Sequence, residues 1–453
     1  MNVRATHVGP APTRSARSSV AIAAVTAVNR LSRALGRGSG TVAGGRAGLL
    51  VDPGLLATLA AGRRVALVTG TNGKTTTTRL LVGALAGPDG DLPISNDTGS
   101  NMPAGHVAAL VGAPGARLAV LEVDEGYLGR LVTEAAPSAV VLLNLSRDQL
   151  DRISEVRILV DRWRLSLAGL GRPTAQGGGT VVVANADDPM VAFAAAAAPE
   201  VCWVGAGQTW RDDAVGCPAC GGRIEFADDG AWACDQCDFA RPEVAAAVDG
   251  SDLVLSDGTR LAITIGLPGQ FNRSNAAMAA MAAAVVMQAT AGTMRSEAVA
   301  IALGRLGGVT EVAGRFSTIL RRGRQVRLLL AKNPAGWTAI FDLLDETGDP
   351  KGAVVLSVNA RTADGFDTSW LWDVPFERLA GHPVVVTGER RLDLAVRLRY
   401  ADVEHVVVDD PVDALDHAVA TRNGGLTGAT DHDRATVEFL GNYTAFADLR
   451  RAL

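Results

Sequence analysis

Residues 69–78 read TGTNGKTTTT. The stretch RRVALVTG before it is a short apolar run of strand type, and TTTTRLLVGALAG after it has helical character, so a Gly-rich turn joins strand to helix. That junction is where proteins hold phosphate: glycines let backbone N–H groups curl around an anion, and the helix N-terminus adds its dipole. Gly70, Thr71, Asn72, Gly73, Lys74, Thr75 and Thr76 are therefore the candidate nucleotide loop, with Lys74 reaching the terminal phosphates and the Thr75 hydroxyl ligating Mg²⁺. The plainer alternative is a Gly/Thr-rich loop with a solvated lysine. Lysine occurs only at 74, 332 and 351, against 43 Lys and Arg in all, so a lysine kept inside GKT argues for its compact point charge. The strict P-loop pattern would place a glycine at position 68, where this chain has Val68.

At 453 residues the chain exceeds one ordinary core, which implies two or three domains. It is 48% hydrophobic and 4% aromatic with a net charge of −5, a globular composition that makes no general case for nucleic-acid binding. The first forty residues differ, carrying several arginines and no acid around the apolar run SVAIAAVTAV at 19–28. That run is too short to span a bilayer, and it reads as a flexible basic arm leading into a helix over 1–50; a targeting peptide is the minority alternative, and peripheral rest on an anionic membrane face stays open. The Ala-rich stretch 276–287 suits a buried helix, and the expectation is a cytoplasmic protein. Runs such as VALVTG, LAVLEV, AVVLLNL, TVVVAN, AVVLSV, PVVVTG and HVVVDD alternate with helical segments, which argues for α/β domains with largely parallel sheets.

Residues 217–237 hold CPAC, thirteen further residues, then CDQC. Two C-x₂-C knuckles at this separation offer two sulfurs each to one tetrahedron, so Cys217, Cys220, Cys234 and Cys237 are read as a Zn²⁺ site, with a redox pair or an iron–sulfur centre as alternatives. Four thiolates leave no position open for catalysis, so the site is structural. The residues between the knuckles, RIEFADDGAWA, form no basic stripe, which weakens a reading of the ribbon as a nucleic-acid module. The fifth cysteine, Cys202 in EVCWVG, reads as a buried strand residue.

TGTNGKTT resembles the ATP loop of the Mur ligase superfamily, the ATP-dependent amide-forming enzymes of peptidoglycan and folylpolyglutamate synthesis. Five further stretches match in order. The resemblance implies that Glu122, at the end of LAVLEVDEG, helps bind Mg²⁺; Asp124 and Glu125, clustered with it, read as loop surface. AVVLLNLSRDQLDR brings Asn144 and Asp148, with Gln149 where the family usually has histidine. ANADDP at 184–189 and GQFNRSNAAMAA at 269–280 follow, the latter carrying over Asn272 and Asn275 as adenine-side contacts. AGRFS at 313–317 matches the linker to a C-terminal domain, with Arg315 as a phosphate contact.

Beyond this point the resemblance narrows. Peptide-adding Mur ligases use a carbamylated lysine in the central domain, yet no lysine lies between Lys74 and Lys332. Their C-terminal domain opens with an Asp-Tyr-Ala-His motif, where this chain has LLLAKNPAGW, with Leu329 and Lys332 at the aspartate and histidine positions. LAKNPAG, the cysteine insert and DGFDTSWLWD at 364–373 together resemble the MurT subfamily, the ligase subunits of lipid II isoglutaminyl synthase. The implied layout is a basic arm and helix over 1–50, a Mur ligase central P-loop ATPase domain over 51–314 with a zinc ribbon inserted at about 205–245, and a Rossmann-like α/β domain over 315–453. The implied reaction is ATP-dependent amidation of the α-carboxylate of D-glutamate in the lipid II stem peptide, through an acyl phosphate. Lys74, Thr75-bound Mg²⁺ and Glu122 would neutralise charge, and Lys332 would hold the phosphorylated carboxylate or else be a surface lysine. A glutaminase needs an activated cysteine, and four of the five cysteines are committed to metal while Cys202 is in an apolar setting. Ammonia must then come from a partner, which the resemblance names as a GatD-type glutamine amidotransferase, with Asp367 completing its catalytic triad across the subunit boundary. An amino-acid-adding ligase and a non-catalytic ATP-binding scaffold stand as the rival readings.

Overall fold

The structure, a computed structural model, describes residues 15–35, 41–87, 91–96, 100–147, 156–172, 179–288, 296–309, 316–347, 352–421 and 436–453. Three helices open it: α1 (Ala16–Ala34), α2 (Thr41–Val51) and α3 (Leu55–Ala60). Then strands and helices alternate as the apolar runs foretell, through β1 (Arg64–Thr69), α4 (Lys74–Ala84), β2 (Ile94–Ser95), α5 (Pro103–Gly112), β3 (Leu118–Glu122), α6 (Leu128–Ala135) and β4 (Ala139–Leu142). The series continues with α7 (Val156–Ala168), β5 (Val181–Asn185), α8 (Pro189–Ala195) and β6 (Val201–Gly205), and a small hairpin of β7 (Ile224–Phe226) and β8 (Trp232–Cys234). A meander of β9 (Ala246–Asp249), β10 (Asp252–Leu255) and β11 (Arg260–Ala262) leads to α9 (Gln270–Gln288) and α10 (Ser296–Gly304).

Among the described residues these strands make a nine-stranded sheet in the order β11-β10-β9-β6-β5-β4-β1-β3-β2, parallel from β9 to β2. β1 lies between β3 and β4 and is buried from Val65 to Thr69, so its run of apolar residues reflects two covered faces rather than one. On one face α4, α9 and α10 close over Val68, Val120 and Val141; Ala276–Ala284 of α9 are buried, and the short side chains of the seven alanines among them let that helix lie close against the sheet. The opposite face is covered by α3, α5, α6, α7 and α8, with α1 outside them through Ala21 and Val25. Residues 19–28 thus lie inside α1 as one arm of a helical pair, since α2 packs on both α1 and α5. The α2–α5 approach is close enough that a Cβ on Gly45 would meet the Ala104 carbonyl at 1.8 Å.

The rest of the chain forms a second sheet. β12 (Phe316–Arg321) and β13 (Arg324–Leu330) form an antiparallel hairpin, followed by α11 (Pro334–Thr347), β14 (Val354–Ser357), β15 (Val384–Thr387), α12 (Arg391–Tyr400), β16 (His405–Val407), α13 (Pro411–Thr421), β17 (Val437–Gly441) and α14 (Tyr443–Ala452). The order is β12-β13-β17-β14-β15-β16, parallel beyond the edge hairpin. Trp337, Phe341 and Phe376 fill one face, and Phe439 and Phe446 the other. No helix among the described residues is long and apolar enough to cross a membrane.

Candidate functional site

The nucleotide-type loop is the tight connection between Thr69 at the end of β1 and Lys74 at the start of α4. Val68 lies within the strand, fully buried, which is why no glycine is needed there. Gly73 has φ +83°, and a Cβ on it would come within 2.5 Å of Asn275 Oδ1, so the turn requires glycine for both conformation and space. The loop is held from below by the segment after β4: the Asn72 N–H donates to Asn144 Oδ1 at 2.8 Å, Asn144 Nδ2 donates to the Asn72 carbonyl at 3.1 Å, and Thr71 exchanges hydrogen bonds with Ser146 at 3.0 Å. Of the four hydroxyls, Thr75 and Thr76 line the adjoining cleft, Thr77 donates to Asn275 Oδ1 at 3.2 Å, and Thr78 is buried. The second pair therefore serves packing.

Lys74 is 5% exposed, which excludes a solvated loop lysine. Its Nζ donates to the Gly70 carbonyl at 2.6 Å and the Thr71 carbonyl at 3.2 Å, and pairs with Glu125 at 3.1 Å. Glu125 is thus not loop surface as its place in LAVLEVDEG suggests: its side chain is 11% exposed, and its carbonyl accepts from the Trp163 indole at 2.9 Å. The short turn after β3 swings it back over the loop, a reversal that no periodicity in the sequence signals. Glu122 ends β3 with its backbone fixed by Asn96, which accepts from its N–H at 2.8 Å and donates to its carbonyl at 2.9 Å. His106 Nε2 lies 2.7 Å from the same carbonyl. The half-buried Glu122 carboxylate receives a long 3.4 Å contact from the Asn101 amide, a loose hold that suits a hard cation's ligand. Burial lowers the His106 pKa to about 4, against the opposing pull of the Glu122 carbonyl and charge. Asn96 and His106 lie outside every motif read from the sequence; only the fold brings them to this strand end.

A cleft of about 200 Å³ opens beside the loop, lined from both sheets by residues including Thr75, Asn144, Asn272, Asn275, Leu329 and Ile340. Asn272 donates to the Pro268 carbonyl at 2.6 Å, while Asn275 stands against Gly73 and Thr77, behind the loop itself. The two lobes meet at the loop: Asn333 Nδ2, in the turn between β13 and α11, donates to Asn72 Oδ1 at 3.2 Å. Half-buried Lys332 is its immediate neighbour. Asn185 and Asp187 of ANADDP brace Gly207 at the cleft wall, and Asp188 caps α8. Asp148, Gln149 and Arg315 lie outside the described residues.

The Sγ atoms of Cys217, Cys220, Cys234 and Cys237 all lie within 4.8 Å of one another. The closest pairs, Cys217–Cys237 at 3.8 Å and Cys220–Cys234 at 3.5 Å, match the edge of about 3.8 Å that a tetrahedron with Zn–S of about 2.3 Å requires. Backbone N–H groups of Ala219, Gly222 and Gln236 point at Cys217, Cys220 and Cys234 at 3.3–3.4 Å, the donors a set of thiolates needs. The four sulfurs therefore fit Zn²⁺. Cys202 is half-buried in β6, and burial raises its thiol to about 12.

In DGFDTSWLWD the residues separate into anchor and surface. Asp364 is buried and accepts from the Thr444 N–H at 2.9 Å, and Trp370 is buried against Trp337; Trp370 is therefore a core residue, not one held out for an interface. Asp367 and Trp372 are exposed. The Ser369 N–H, donating to Asp367 at 2.8 Å, holds that carboxyl below its usual range and thus ionised.

Residues 68–284 match the Mur ligase middle domain, and residues 330–446 match the MurT ligase C-terminal family. The chain is 30% identical over 403 residues to the MurT subunit of lipid II isoglutaminyl synthase (glutamine-hydrolyzing) of Staphylococcus aureus strain COL, covering 84% of this chain and 87% of that one. It is 31% identical to the Streptococcus pneumoniae subunit of the same name, covering 82% and 83%. Among solved structures it resembles a pseudomurein peptide ligase type C from Methanothermus fervidus (TM-score 0.57, 19% identity, 86% and 79% of the two chains). Another neighbour is MurF from Acinetobacter baumannii (TM-score 0.58, 16% identity, 90% and 80%), and both likenesses speak for the fold alone. With a Mur ligase-like α/β fold on parallel sheets, and family matches on both sides of the cleft, the chain belongs to the MurT family of Mur ligases.

Proposed function

We propose that this chain amidates the free α-carboxylate of D-glutamate in the stem peptide of lipid II, using ATP and ammonia. The observation that carries this reading is the phosphate loop closed against the C-terminal lobe by Asn333 at the mouth of a shared cleft, which offers nucleotide and carboxylate one meeting place. In the proposed reaction the carboxylate oxygen attacks the γ-phosphorus and ADP leaves; ammonia then attacks the acyl carbon, phosphate departs and the nitrogen loses a proton. Such transfer is mostly positioning and charge neutralisation. Gly70–Gly73 and the start of α4 would cradle phosphate, Lys74 would exchange its carbonyl partners for phosphate oxygens, Thr75 and Glu122 would hold Mg²⁺, and Asn272 would face the adenine. Asn275, which lines the cleft and also supports the loop, would join Asn272 on the adenine side, and Glu125 would keep Lys74 in place when no phosphate is bound. Lys332 would steady the phosphorylated carboxylate, and Arg315 would contact phosphate.

The domain reading is part of the proposal: an arm and helices over 1–50, an ATP-binding domain over 51–314 with a structural zinc ribbon inserted at about 205–245, and a Rossmann-like domain over 315–453. Cys217, Cys220, Cys234 and Cys237 would hold the zinc, which here organises a hairpin and takes no part in the chemistry. Ammonia would be supplied by a GatD-type glutaminase subunit, whose triad Asp367 completes, and the complex would work in the cytoplasm at the inner membrane face. The test is direct: the purified chain with Mg²⁺, ATP, lipid II and ammonium should release ADP and yield lipid II lighter by the one-mass-unit exchange of OH for NH₂, which mass spectrometry resolves. ATP turnover that instead joins a free amino acid to its substrate, or no turnover at all, would overturn the reading.

A further inference from the structure

Helix α1 buries Ser18, Ala21 and Val25 against the body, and its far side carries Ala16, Val20, Ala23, Ala27, Leu31 and Ala34, all exposed. These six recur at spacings of three and four, so they form a single solvent-facing stripe with no polar residue in it. Val20 and Leu31 are each 60% exposed, and on the neighbouring α2 Leu50 is 83% exposed. Arg30 and Arg33 border the stripe on one side and Arg17 on the other, with Arg46 exposed on α2. Residues 1–50 contain no Asp or Glu in a chain whose net charge is −5, and the nearest acid, Asp52, is turned inward to accept from the Ser18 hydroxyl at 2.7 Å. The helical pair thus carries arginines and no acid of its own, and it also shows an apolar face to solvent.

From this we propose that the outer face of α1, with the exposed end of α2, is a docking surface for anionic lipid. An interfacial helix has this composition: an apolar stripe sinks to the headgroup boundary while flanking arginines meet phosphate. A second copy fits poorly, because pairing α1 with itself would set Arg17, Arg30 and Arg33 against the same residues with no acid between them. The pair is held rigidly enough to present that face, since Arg17 Nε donates to the Val51 carbonyl at 2.6 Å and α2 packs onto α5, whose N-terminus adjoins the Asn101–Glu122 contact beside the phosphate loop. Docking here would hold the cleft at a fixed height above the bilayer, which deepens the ligase reading without depending on it.

The experiment is co-sedimentation of the full-length chain, without substrate or nucleotide, on vesicles of phosphatidylcholine alone and of phosphatidylcholine mixed with phosphatidylglycerol. Binding should appear on the anionic vesicles and weaken with salt. Arg30→Glu with Arg33→Glu should lower partitioning by about thirtyfold or more, from about tenfold per 1.4 kcal/mol and roughly 1 kcal/mol per basic residue at a membrane surface. Val20→Glu with Leu31→Glu should abolish it at unchanged melting temperature, because both positions face away from the core. Equal partitioning of the wild type on neutral and anionic vesicles overturns the proposal, and it does so whatever the variants do. So does a wild-type dimer in light scattering that Val20→Glu with Leu31→Glu dissolves, which would assign the face to a second copy.

Discussion

At the scale of single residues, the Lys74–Glu125 pair makes two demands on a mutation. Lys74→Ala should cost at least about 10²–10³-fold in ATP turnover, the usual loss when one donor to a developing charge is removed. It should also destabilise the fold by about 3 kcal/mol or more, because Glu125 would be left nearly buried without its counter-ion. Adding Glu125→Gln should restore the melting temperature and leave turnover lost; recovery of both, or of neither, would show that the lysine's role is structural. His106 sets a second expectation. Its folded pKa of about 4 lies below the ordinary 6.5, so the unfolded chain binds the extra proton, and stability present above about pH 6.5 is lost as pH falls through 4. The loss should approach about 3 kcal/mol, from roughly 1.4 kcal/mol for each pH interval of one between the folded and unfolded values, and His106→Gln should flatten the slope over that range in urea titrations.

Among elements, the β7–β8 hairpin has the least core of its own, with Ile224 and Trp232 its buried apolar residues within the strands, so four sulfurs must supply what packing does not. Metal analysis should return about one Zn²⁺ per chain by the four-ligand rule. Cys217→Ser with Cys220→Ser should lower the melting temperature markedly while any folded remainder keeps its ATP turnover; iron, or a reducible disulfide, would contradict the zinc reading. The hairpin shows what was legible in the sequence: two knuckles announce a site because their ligands are local. β1, β3, β4, β5, β14 and β15 were legible for the related reason that strands covered on both faces are continuous apolar runs. β9 to β12 are not: AAVD, DLVL and RLA are only three or four residues long, and FSTILR, at the edge of its sheet, mixes polar with apolar residues instead of forming an apolar run. The site divides likewise. The loop could be read outright, whereas Asn333 and Asn72 are 261 positions apart, and only the fold sets them together.

For the whole molecule, the proposed partner subunit gives Asp367 its test. Asp367 is exposed and ionised, and in the proposed complex it would complete the partner's triad, where a carboxylate orients an imidazole and stabilises its charged form. Asp367→Asn should cut glutamine-driven amidation by about 10³–10⁴-fold while ammonium-driven amidation and assembly with the glutaminase persist. Equal loss of both reactions would remove Asp367 from that role. The link between lobes can be tested by Asn333→Ala, which deletes the bond to Asn72, worth about 1 kcal/mol, together with the bond that Asn333 Oδ1 accepts from the Gly336 N–H at the start of α11, and should raise the KM for ATP roughly fivefold while lowering the melting temperature modestly.

The same amide contact differs in kind from two ion pairs that also join the lobes. Arg273 meets Glu346 at 3.2 Å, and Arg147 meets Asp373 at 3.4 Å, both partly exposed ion pairs that mobile ions screen. Asn72 and Asn333 carry no charge, so ionic strength leaves their bond untouched. Raising salt should therefore loosen the periphery of the cleft before its nucleotide end. The lobes would then swing about the phosphate loop as a pivot, and electrolyte would control the amplitude of opening without displacing its axis.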